Sequence, residues 1–241
     1  MRHHKTICEL TKKLHIVLFA YNFPHKKSWD FIQLLIENKV SIDLIIAADF
    51  VPLESISQIN NKDMASHPFK LALKHGIPYK VAPHNSNNCI DLLVGFNINF
   101  GIISGARILH KNIINNIKYG VLNFHPAILP MVRGLDSVLW TINKGLPIGV
   151  TAHLINEEID LGNLVCSDNI SVSSDDNLDT MIEKNYQLQL KLIPIALNLI
   201  VESRSFPIIK GGDYNTKMTK EVRNKTIAKI KNYVEKYAKK N

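Results

Sequence analysis

The chain has 241 residues, 46% of them hydrophobic, so it is long enough to bury a core as one domain with an extension. Its three cysteines, Cys8, Cys89 and Cys166, lie far apart, which argues against a disulfide framework and a zinc site. We therefore expect a reducing, cytoplasmic compartment. No apolar run is long enough to cross a bilayer.

The positive charge is concentrated near the C-terminus. Residues 210–241 carry ten lysines and arginines against three acidic residues, whereas the whole chain has a formal net charge of +8. Such a segment can bind nucleic acid or phosphorylated partners. It can equally be the solvated, lysine-rich face of a helix, and the charge pattern leaves both interpretations open.

Apolar strands alternate with amphipathic helices along the chain. The predicted elements, in chain order, are strand Leu14–Ala20, helix Lys27–Lys39, strand Ile42–Ala47, helix Pro68–His75, strand Pro78–Ala82, strand Phe100–Ser104, helix Lys111–Ile117, strand Gly120–Phe124, helix Asp136–Asn143 and strand Val150–Ile155. A long helix follows, capped by Asp175 or Asp176, interrupted at Pro194 and ending at Val201. This alternation predicts an α/β fold with a doubly wound, mostly parallel, Rossmann-like sheet covered on both faces.

The C-terminal part predicts an extension over residues 204–241, after a main domain over residues 14–203. Gly211–Lys217 is typical of a tight turn that enters a short strand or hairpin. Beyond this turn, apolar residues fall on one side of a helix with lysines opposite: Val222, Ile227, Ile230, Tyr233, Val234 and Tyr237. This stripe is expected to pack on the body of the protein or on a second subunit.

Three polar side chains at predicted strand ends suit acyl transfer to an amine. Asn123 and His125 end one apolar run, and Asp160 follows the next. An amide can donate to a developing oxyanion, an imidazole can accept or relay a proton, and a carboxylate can orient the imidazole. Alone, a strand-end Asn or His is more often a turn residue with local hydrogen bonds. In parallel sheets, however, ligands bind at the carboxyl ends of strands.

Two other kinds of site are disfavoured. The loop Tyr21–Lys26 after the first strand contains no glycine, which argues against a dinucleotide pyrophosphate site. Glu157 and Glu158 lie close to Asp160, but carboxylates in one loop are usually a solvated turn, and no matching ligand set follows elsewhere. We therefore predict no metal. His153 lies on a predicted strand and is interpreted as a structural histidine.

The order and spacing of several motifs resemble the folate-dependent formyltransferase family. The motifs are Gly120–Pro130, Arg133-Gly134, Trp140, Gly149–His153 and Ile159–Gly162. The resemblance is strong from about Phe100 to Val165 and poor after Ser203. It implies that residues 14–203 form a catalytic domain that transfers a formyl group from 10-formyltetrahydrofolate to a primary amine. It further implies that Asn123, His125 and Asp160 are the catalytic trio.

The same resemblance implies where folate would bind. The segment Ser104–Leu109 matches the one that holds the pterin ring, and the loop Ile155–Asp160 matches the opposite wall. Local sequence alone favours a surface charge or core packing for the first of these segments. The residues expected to contact folate are Arg107, Ile108, Leu109, Ile155, Asn156 and Glu157.

The resemblance also bears on the acceptor. Glycinamide ribonucleotide formyltransferases carry a Gly/Ser/Asn-rich phosphate loop after the first strand, and this chain lacks it. Methionyl-tRNA formyltransferases carry a C-terminal β-barrel, for which the segment after Ser203 is short. We expect a nucleotide-linked amino sugar, specifically a dTDP-4-amino-4,6-dideoxyhexose for lipopolysaccharide O-antigen synthesis. The alternatives are phosphoribosylglycinamide formyl transfer and RNA binding through the basic tail, although no nucleic-acid partner is expected.

Met131 and Val132 stand where the family usually has a basic and an aromatic residue, which leaves the acceptor-side loop less basic. The pyrophosphate contacts are therefore expected from Lys26, Lys27 and Lys217, each of which can also be a solvated lysine. Small nucleotide-sugar formyltransferases often end in a hairpin that pairs subunits and adds an aromatic residue to the nucleotide site. This pattern implies a homodimer and makes Tyr214 the candidate for stacking on the base.

Overall fold

The computed structural model describes residues 13–50, 66–203 and 205–238. These residues form two compact units. The first comprises the described residues of Met1–Asn123, Leu154–Glu157 and Leu197–Arg204, and the second comprises those of Phe124–His153, Glu158–Ala196 and Ser205–Asn241. The boundary expected at residue 203 stays a prediction.

The first unit is built on parallel strands. They are β1 (Ile16–Tyr21), β2 (Leu44–Ala48), β3 (Tyr79–Val81), β4 (Phe100–Ile103) and the first residues of β5 (Val121–His125). Their order is β3-β2-β1-β4-β5, and each neighbouring pair is parallel. Residues 16–20 and 44–47 are fully buried, as expected for strands covered on both faces. The predicted α/β fold with a mostly parallel sheet is confirmed.

The helices of the first unit are α1 (Lys26–Glu37), α2 (Pro68–Lys74), α3 (Asn87–Gly95) and α4 (Lys111–Ile114). Leu93 of α3 and Ile113 of α4 lie in a core cluster with the strand residues Phe19 and Ile46. Helix α3 is absent from the sequence prediction. Ser86 caps α3 by accepting the N–H of Cys89 at 3.2 Å, and the helix then buries Cys89 and Leu93.

The second unit contains short strands and one long one. They are the end of β5, β6 (Arg133–Gly134), β7 (Gly149–Leu154), β8 (Gly162–Asn169), β9 (Ile208–Ile209) and β10 (Tyr214–Asn215). Strands β7, β8 and β9 are consecutive neighbours, and β8 and β9 pair antiparallel. The turn and strand predicted at Gly211–Lys217 are present, but β10 pairs in parallel with β6 rather than folding back as a hairpin. Gly211 and Gly212, both at positive φ, turn the chain before this pairing.

Two helices follow in the second half of the chain, α5 (Ser137–Asn143) and the long helix α6 (Leu178–Glu202). The predicted N-terminal cap of α6 and its predicted interruption at Pro194 are both wrong. Its cap is Asn177, not Asp175 or Asp176: the Asn177 side chain accepts the N–H of Thr180 at 3.0 Å, and Thr180 Oγ1 accepts the N–H of Asn177 at 2.9 Å. The helix also continues through Pro194, because the residues around it are held by burial: Leu192, Ile193, Ala196 and Leu197.

The apolar C-terminal stripe divides between α7 (Lys220–Ala228) and α8 (Ile230–Tyr237). Tyr233 and Val234 of α8 are buried in a cluster that includes Ile142, Ile148 and Met181 of the same unit. Of the two surfaces expected for this stripe, the protein's own body therefore covers the α8 part. The homodimer stays a prediction. Among the described residues, no helix combines the length and apolar character needed to cross a bilayer.

Tyr233 offers a test of this packing. Its buried hydroxyl accepts the N–H of Ile148 at 3.1 Å and donates to the carbonyl oxygen of Leu146 at 2.7 Å. Tyr233→Phe leaves both backbone groups without this partner, so we expect the free energy of unfolding to fall by about 1–3 kcal/mol. Urea denaturation measures the change. Tyr119→Phe, at a residue that is 43% exposed, is the control and should have little effect; equal stability of both variants would contradict the packing.

Candidate active site

His125 and Asp160 form a buried pair in the second unit. The Nδ1 atom of His125 lies 3.3 Å from Oδ1 of Asp160, and the two side chains are 4% and 12% exposed. His125 ends β5, and Asp160 lies in the turn before β8 with a φ of 53°. Aspartate tolerates this left-handed conformation better than most residues. The structure thus brings together two of the three side chains of the predicted trio.

Both ring nitrogens of His125 face an oxygen atom. Nε2 lies 2.8 Å from the backbone carbonyl oxygen of Val132, on the opposite side of the ring from Asp160. A neutral imidazole has one N–H and can donate to only one of these oxygens, whereas the imidazolium form donates to both. Asp160 and the Val132 carbonyl oxygen thus hold the ring from two sides.

Asp160 is held as a carboxylate by its neighbours. Burial alone would raise its pKa, but the hydrogen bond and charge of His125, together with the backbone N–H of Gly134, lower the pKa below the ordinary value. Gly134 donates to Oδ2 at 2.7 Å, so the two carboxylate oxygens serve different partners. The carboxylate can thus orient the imidazole without rotating.

Gly134 occupies a position that only glycine fills without strain. Its φ is 90°, and an added Cβ would collide with the carbonyl oxygen of Asn215. The sequence motif contains this residue, but its contact with Asp160 spans 26 residues and could not be predicted from local pattern.

The loop between β5 and β6 is fixed by two buried residues that sequence reasoning missed. The Thr151 hydroxyl donates to the carbonyl oxygen of Ala127 at 2.8 Å and accepts the N–H of Leu129 at 3.0 Å. The Asn185 side chain donates to the carbonyl oxygen of Pro126 at 3.4 Å. Because this loop carries Val132, its fixed shape keeps the second acceptor in place for His125.

His153 is a buried residue beside the pair. Its Nδ1 atom lies 3.0 Å from the carbonyl oxygen of Leu161. Burial, and then the positive charge of His125, lower its pKa from 6.5 to about 4. The interpretation of His153 as a structural histidine stays a prediction.

Asn123 lies in β5, two residues before His125, and is partly exposed. The role of Asn123 in the trio stays a prediction.

In the first unit, the two loops predicted to hold folate are joined. Lys111, just after the first loop, lies 2.7 Å from the carboxylate of Glu157 in the second. Ala106 and Ile155, one from each loop, pack against the same core cluster. The first loop is also attached to the segment that precedes α3, because the side chain of Asn85 donates to the carbonyl oxygen of Ile108 at 2.9 Å.

The six predicted folate contacts differ in exposure. Ile108 is 57% exposed, whereas Leu109 is buried in the core with only 4% exposed. Arg107 is exposed, and its charge lowers the pKa of Tyr21, although burial outweighs it and raises that pKa overall. Exposed apolar and backbone groups on a fixed loop fit a flat heteroaromatic ring. The roles of these residues, including Asn156, stay predictions.

The residues predicted to contact the acceptor differ in exposure and in the charges around them. Tyr214 is 44% exposed, and its ring lies against Gly134, 2.9 Å from where a Cβ would stand. Lys217 is exposed three residues later. In the first unit, Lys26 pairs with Asp30 at 2.7 Å, and burial lowers the pKa of Lys27 to about 8.

Metal-binding side chains do not cluster in the described part of the chain. Within residues 13–50, 66–203 and 205–238, no group of three or more His, Cys, Asp or Glu side chains could hold a metal ion.

Comparison with known proteins gives a family match and several relatives. The sequence model of the formyl transferase family matches residues 53–197. The chain is 32% identical over 137 residues to the methionyl-tRNA formyltransferase of Thermodesulfovibrio yellowstonii, covering 56% of this chain and 42% of that protein. It is 27% identical over 164 residues to formyltetrahydrofolate deformylase 2 of Arabidopsis thaliana, covering 65% and 50%. The chain thus spans half or less of these relatives.

Solved structures share the fold. A sugar N-formyltransferase from Shewanella has a TM-score of 0.62 at 20% identity, covering 89% of this chain and 86% of that one. The formyltransferase PseJ from Anoxybacillus kamchatkensis has a TM-score of 0.55 at 22% identity, covering 92% and 97%. That structure contains UDP-4,6-dideoxy-4-formamido-L-AltNAc and tetrahydrofolate.

The lowered pKa of His153 predicts a dependence of stability on pH. Between pH 6.5 and about 4, the unfolded state binds a proton that the folded state does not, so this residue makes stability fall as the pH falls. We expect His153→Gln to make the free energy of unfolding less steeply dependent on pH in this window. Urea denaturation at several pH values measures the slope. Val150→Ala, a buried neighbour in β7, should lower stability without changing the slope; an unchanged slope in His153→Gln would contradict the account.

Proposed function

Because the chain belongs to the formyl transferase family, which uses formyltetrahydrofolate, we propose that it transfers a formyl group to the amine of a nucleotide-linked amino sugar. The specific acceptor we propose is a dTDP-4-amino-4,6-dideoxyhexose, a precursor of lipopolysaccharide O-antigen. We also propose that the enzyme is a cytoplasmic homodimer.

The observation that carries this proposal is the position of Tyr214. Its exposed ring lies against Gly134, and the N–H of Gly134 binds the carboxylate that faces His125. An exposed aromatic ring can stack on a nucleobase. A nucleotide held there would bring its attached sugar near the His125–Asp160 pair. Lys217, three residues further along the chain, is available for the pyrophosphate.

In this proposal, His125 is the acid–base residue of the reaction. Its ring faces Asp160 on one side and the Val132 carbonyl oxygen on the other. Exchange of the Val132 contact for a contact with the substrate frees Nε2 to relay the proton that the attacking amine loses. Asp160 keeps the ring oriented throughout.

Asn123 completes the trio as a donor to the formyl oxygen. Formyltetrahydrofolate supplies the activated formyl group. The acceptor amine forms a bond to the formyl carbon, the bond from that carbon to the folate nitrogen breaks, and the proton lost by the amine passes to the departing nitrogen. The loops that contain Ile108 and Ile155 are proposed to hold the pterin ring, with Arg107, Leu109, Asn156 and Glu157 around it.

A second candidate is formylation of methionyl-tRNA. It is favoured by the 32% identity to a methionyl-tRNA formyltransferase and by the basic residues of the C-terminal segment. Binding of tRNA through that segment would weaken steeply with added salt. The similarity to a deformylase raises a third outcome, in which water replaces the amine.

The proposed roles of the pair predict a loss of turnover. We expect His125→Asn and Asp160→Asn to lower kcat by roughly 10²–10⁴, as for loss of acid–base function, with little change in affinity for the nucleotide sugar. Steady-state kinetics and calorimetric titration with the nucleotide measure the two effects separately. Both variants must first be shown to fold by circular dichroism. Near-normal turnover in either folded variant would remove that residue from the mechanism.

The proposed role of Tyr214 predicts a selective loss of affinity. Stacking of a base on an aromatic ring contributes about 1–3 kcal/mol, so Tyr214→Ala should weaken binding of dTDP or UDP by roughly 5- to 150-fold. Tyr214→Phe keeps the ring and should bind normally, and Tyr119→Ala, at another exposed tyrosine, is the matched control. Full affinity in Tyr214→Ala would show that the base binds elsewhere.

A further inference from the structure

Arg133 joins three parts of the second unit through backbone carbonyl groups. Its Nε and Nη2 atoms donate to the carbonyl oxygen of Ile159 at 3.1 and 2.9 Å. Its Nη1 atom donates to the carbonyl oxygens of Gly212 at 2.9 Å and Gly211 at 3.4 Å. One guanidinium group therefore links β6 to the turn before β8 and to the turn before β10.

Each linked segment carries a residue of the proposed site. Ile159 immediately precedes Asp160, and Gly212 precedes Tyr214 by two residues. Strand β6 itself continues into Gly134, which donates to Asp160. The side chain of Arg133 and the backbone next to it thus hold the catalytic carboxylate and the exposed aromatic ring in one arrangement.

The pattern of contacts requires an arginine. A guanidinium is planar and presents five N–H donors in a rigid fork, whereas a lysine ammonium is a point charge on a flexible stem. Two donors of Arg133 converge on a single carbonyl oxygen while a third points to the opposite segment. Lysine keeps the charge but cannot keep this bridge.

We propose that Arg133 is a positioning residue that couples the C-terminal segment Gly211–Asn215 to the orientation of Asp160 toward His125. This inference rests on the proposed function. Its consequence is that the segment that carries Tyr214 also sets the position of the Asp160 carboxylate relative to His125. Loss of Arg133 disturbs both, whereas loss of another contact of the C-terminal segment disturbs acceptor binding alone.

Trp140 provides the matched control. Its Nε1 atom donates to the carbonyl oxygen of Thr216 at 2.8 Å, which attaches the residue after the segment Gly211–Asn215 to α5. This contact does not involve Ile159 or Asp160. Trp140→Phe therefore loosens the segment without removing the link to the carboxylate.

The kinetic test compares Arg133→Lys with Trp140→Phe in the full-length protein. We expect Arg133→Lys to raise KM for the nucleotide sugar and to lower kcat by roughly tenfold to a hundredfold, as for a misplaced catalytic group. Trp140→Phe should raise KM and leave kcat near that of the parent. If Arg133→Lys changes only KM, the coupling is wrong.

A second readout needs no substrate. The Nδ1 proton of His125, hydrogen-bonded to Asp160, should give a low-field proton NMR resonance that Asp160→Asn removes. We expect Arg133→Lys to shift or broaden this resonance, and Trp140→Phe to leave it unchanged. An unchanged resonance in Arg133→Lys would overturn the proposal. If the Lys variant does not fold, Arg133→Gln serves the same comparison. Because this readout involves neither folate nor acceptor, it remains decisive if the proposed function fails.

Discussion

The placement of one buried imidazole between two fixed oxygen atoms sets the requirements for much of the second unit. His125 faces Asp160 and the Val132 carbonyl, and movement of either oxygen removes one of the contacts that orient this buried ring. The loop that carries Val132 is accordingly tied down by Thr151. The carboxylate is tied down by Gly134, so its second oxygen is not free to rotate toward the ring. The rigidity of this region thus follows from the need to keep one ring oriented.

Gly134 links the buried Asp160 to the exposed ring of Tyr214. Because Gly134 lacks a side chain, β10 can approach β6 closely and place Tyr214 beside the residue that binds Asp160. Helix α8 packs in the same unit, since the Tyr233 hydroxyl binds the backbone at Leu146 and Ile148. Both β10 and α8 therefore belong to the unit that contains the His125–Asp160 pair. In the proposed function, Tyr214 of β10 binds the acceptor while the residues at the strand ends supply the chemistry.

Sequence patterns predicted the parts of the structure that depend on local physics. The apolar runs of β1, β2, β4 and β5 predicted a parallel sheet, and the polar residues at strand ends singled out His125 and Asp160, whose catalytic roles stay predictions. Helix α3 was missed because its polar first turn and terminal glycine resemble a loop, and its burial depends on a distant core. The cap of α6 was misplaced because three consecutive residues can each cap a helix. The contacts of Arg133 and the Val132 carbonyl were missed for a related reason: their partners include backbone groups, which carry no sequence signal.

The most direct test of the central claim is the identity of the group that receives the formyl carbon. The protein and 10-formyltetrahydrofolate would be incubated separately with dTDP- and UDP-linked amino sugars, methionyl-tRNA, glycinamide ribonucleotide and no acceptor, and the products analysed by mass spectrometry. The account predicts a mass gain of one formyl group on a nucleotide-linked amino sugar, with the other acceptors unchanged. Formylation of methionyl-tRNA or glycinamide ribonucleotide alone, or release of formate without any acceptor, would contradict it.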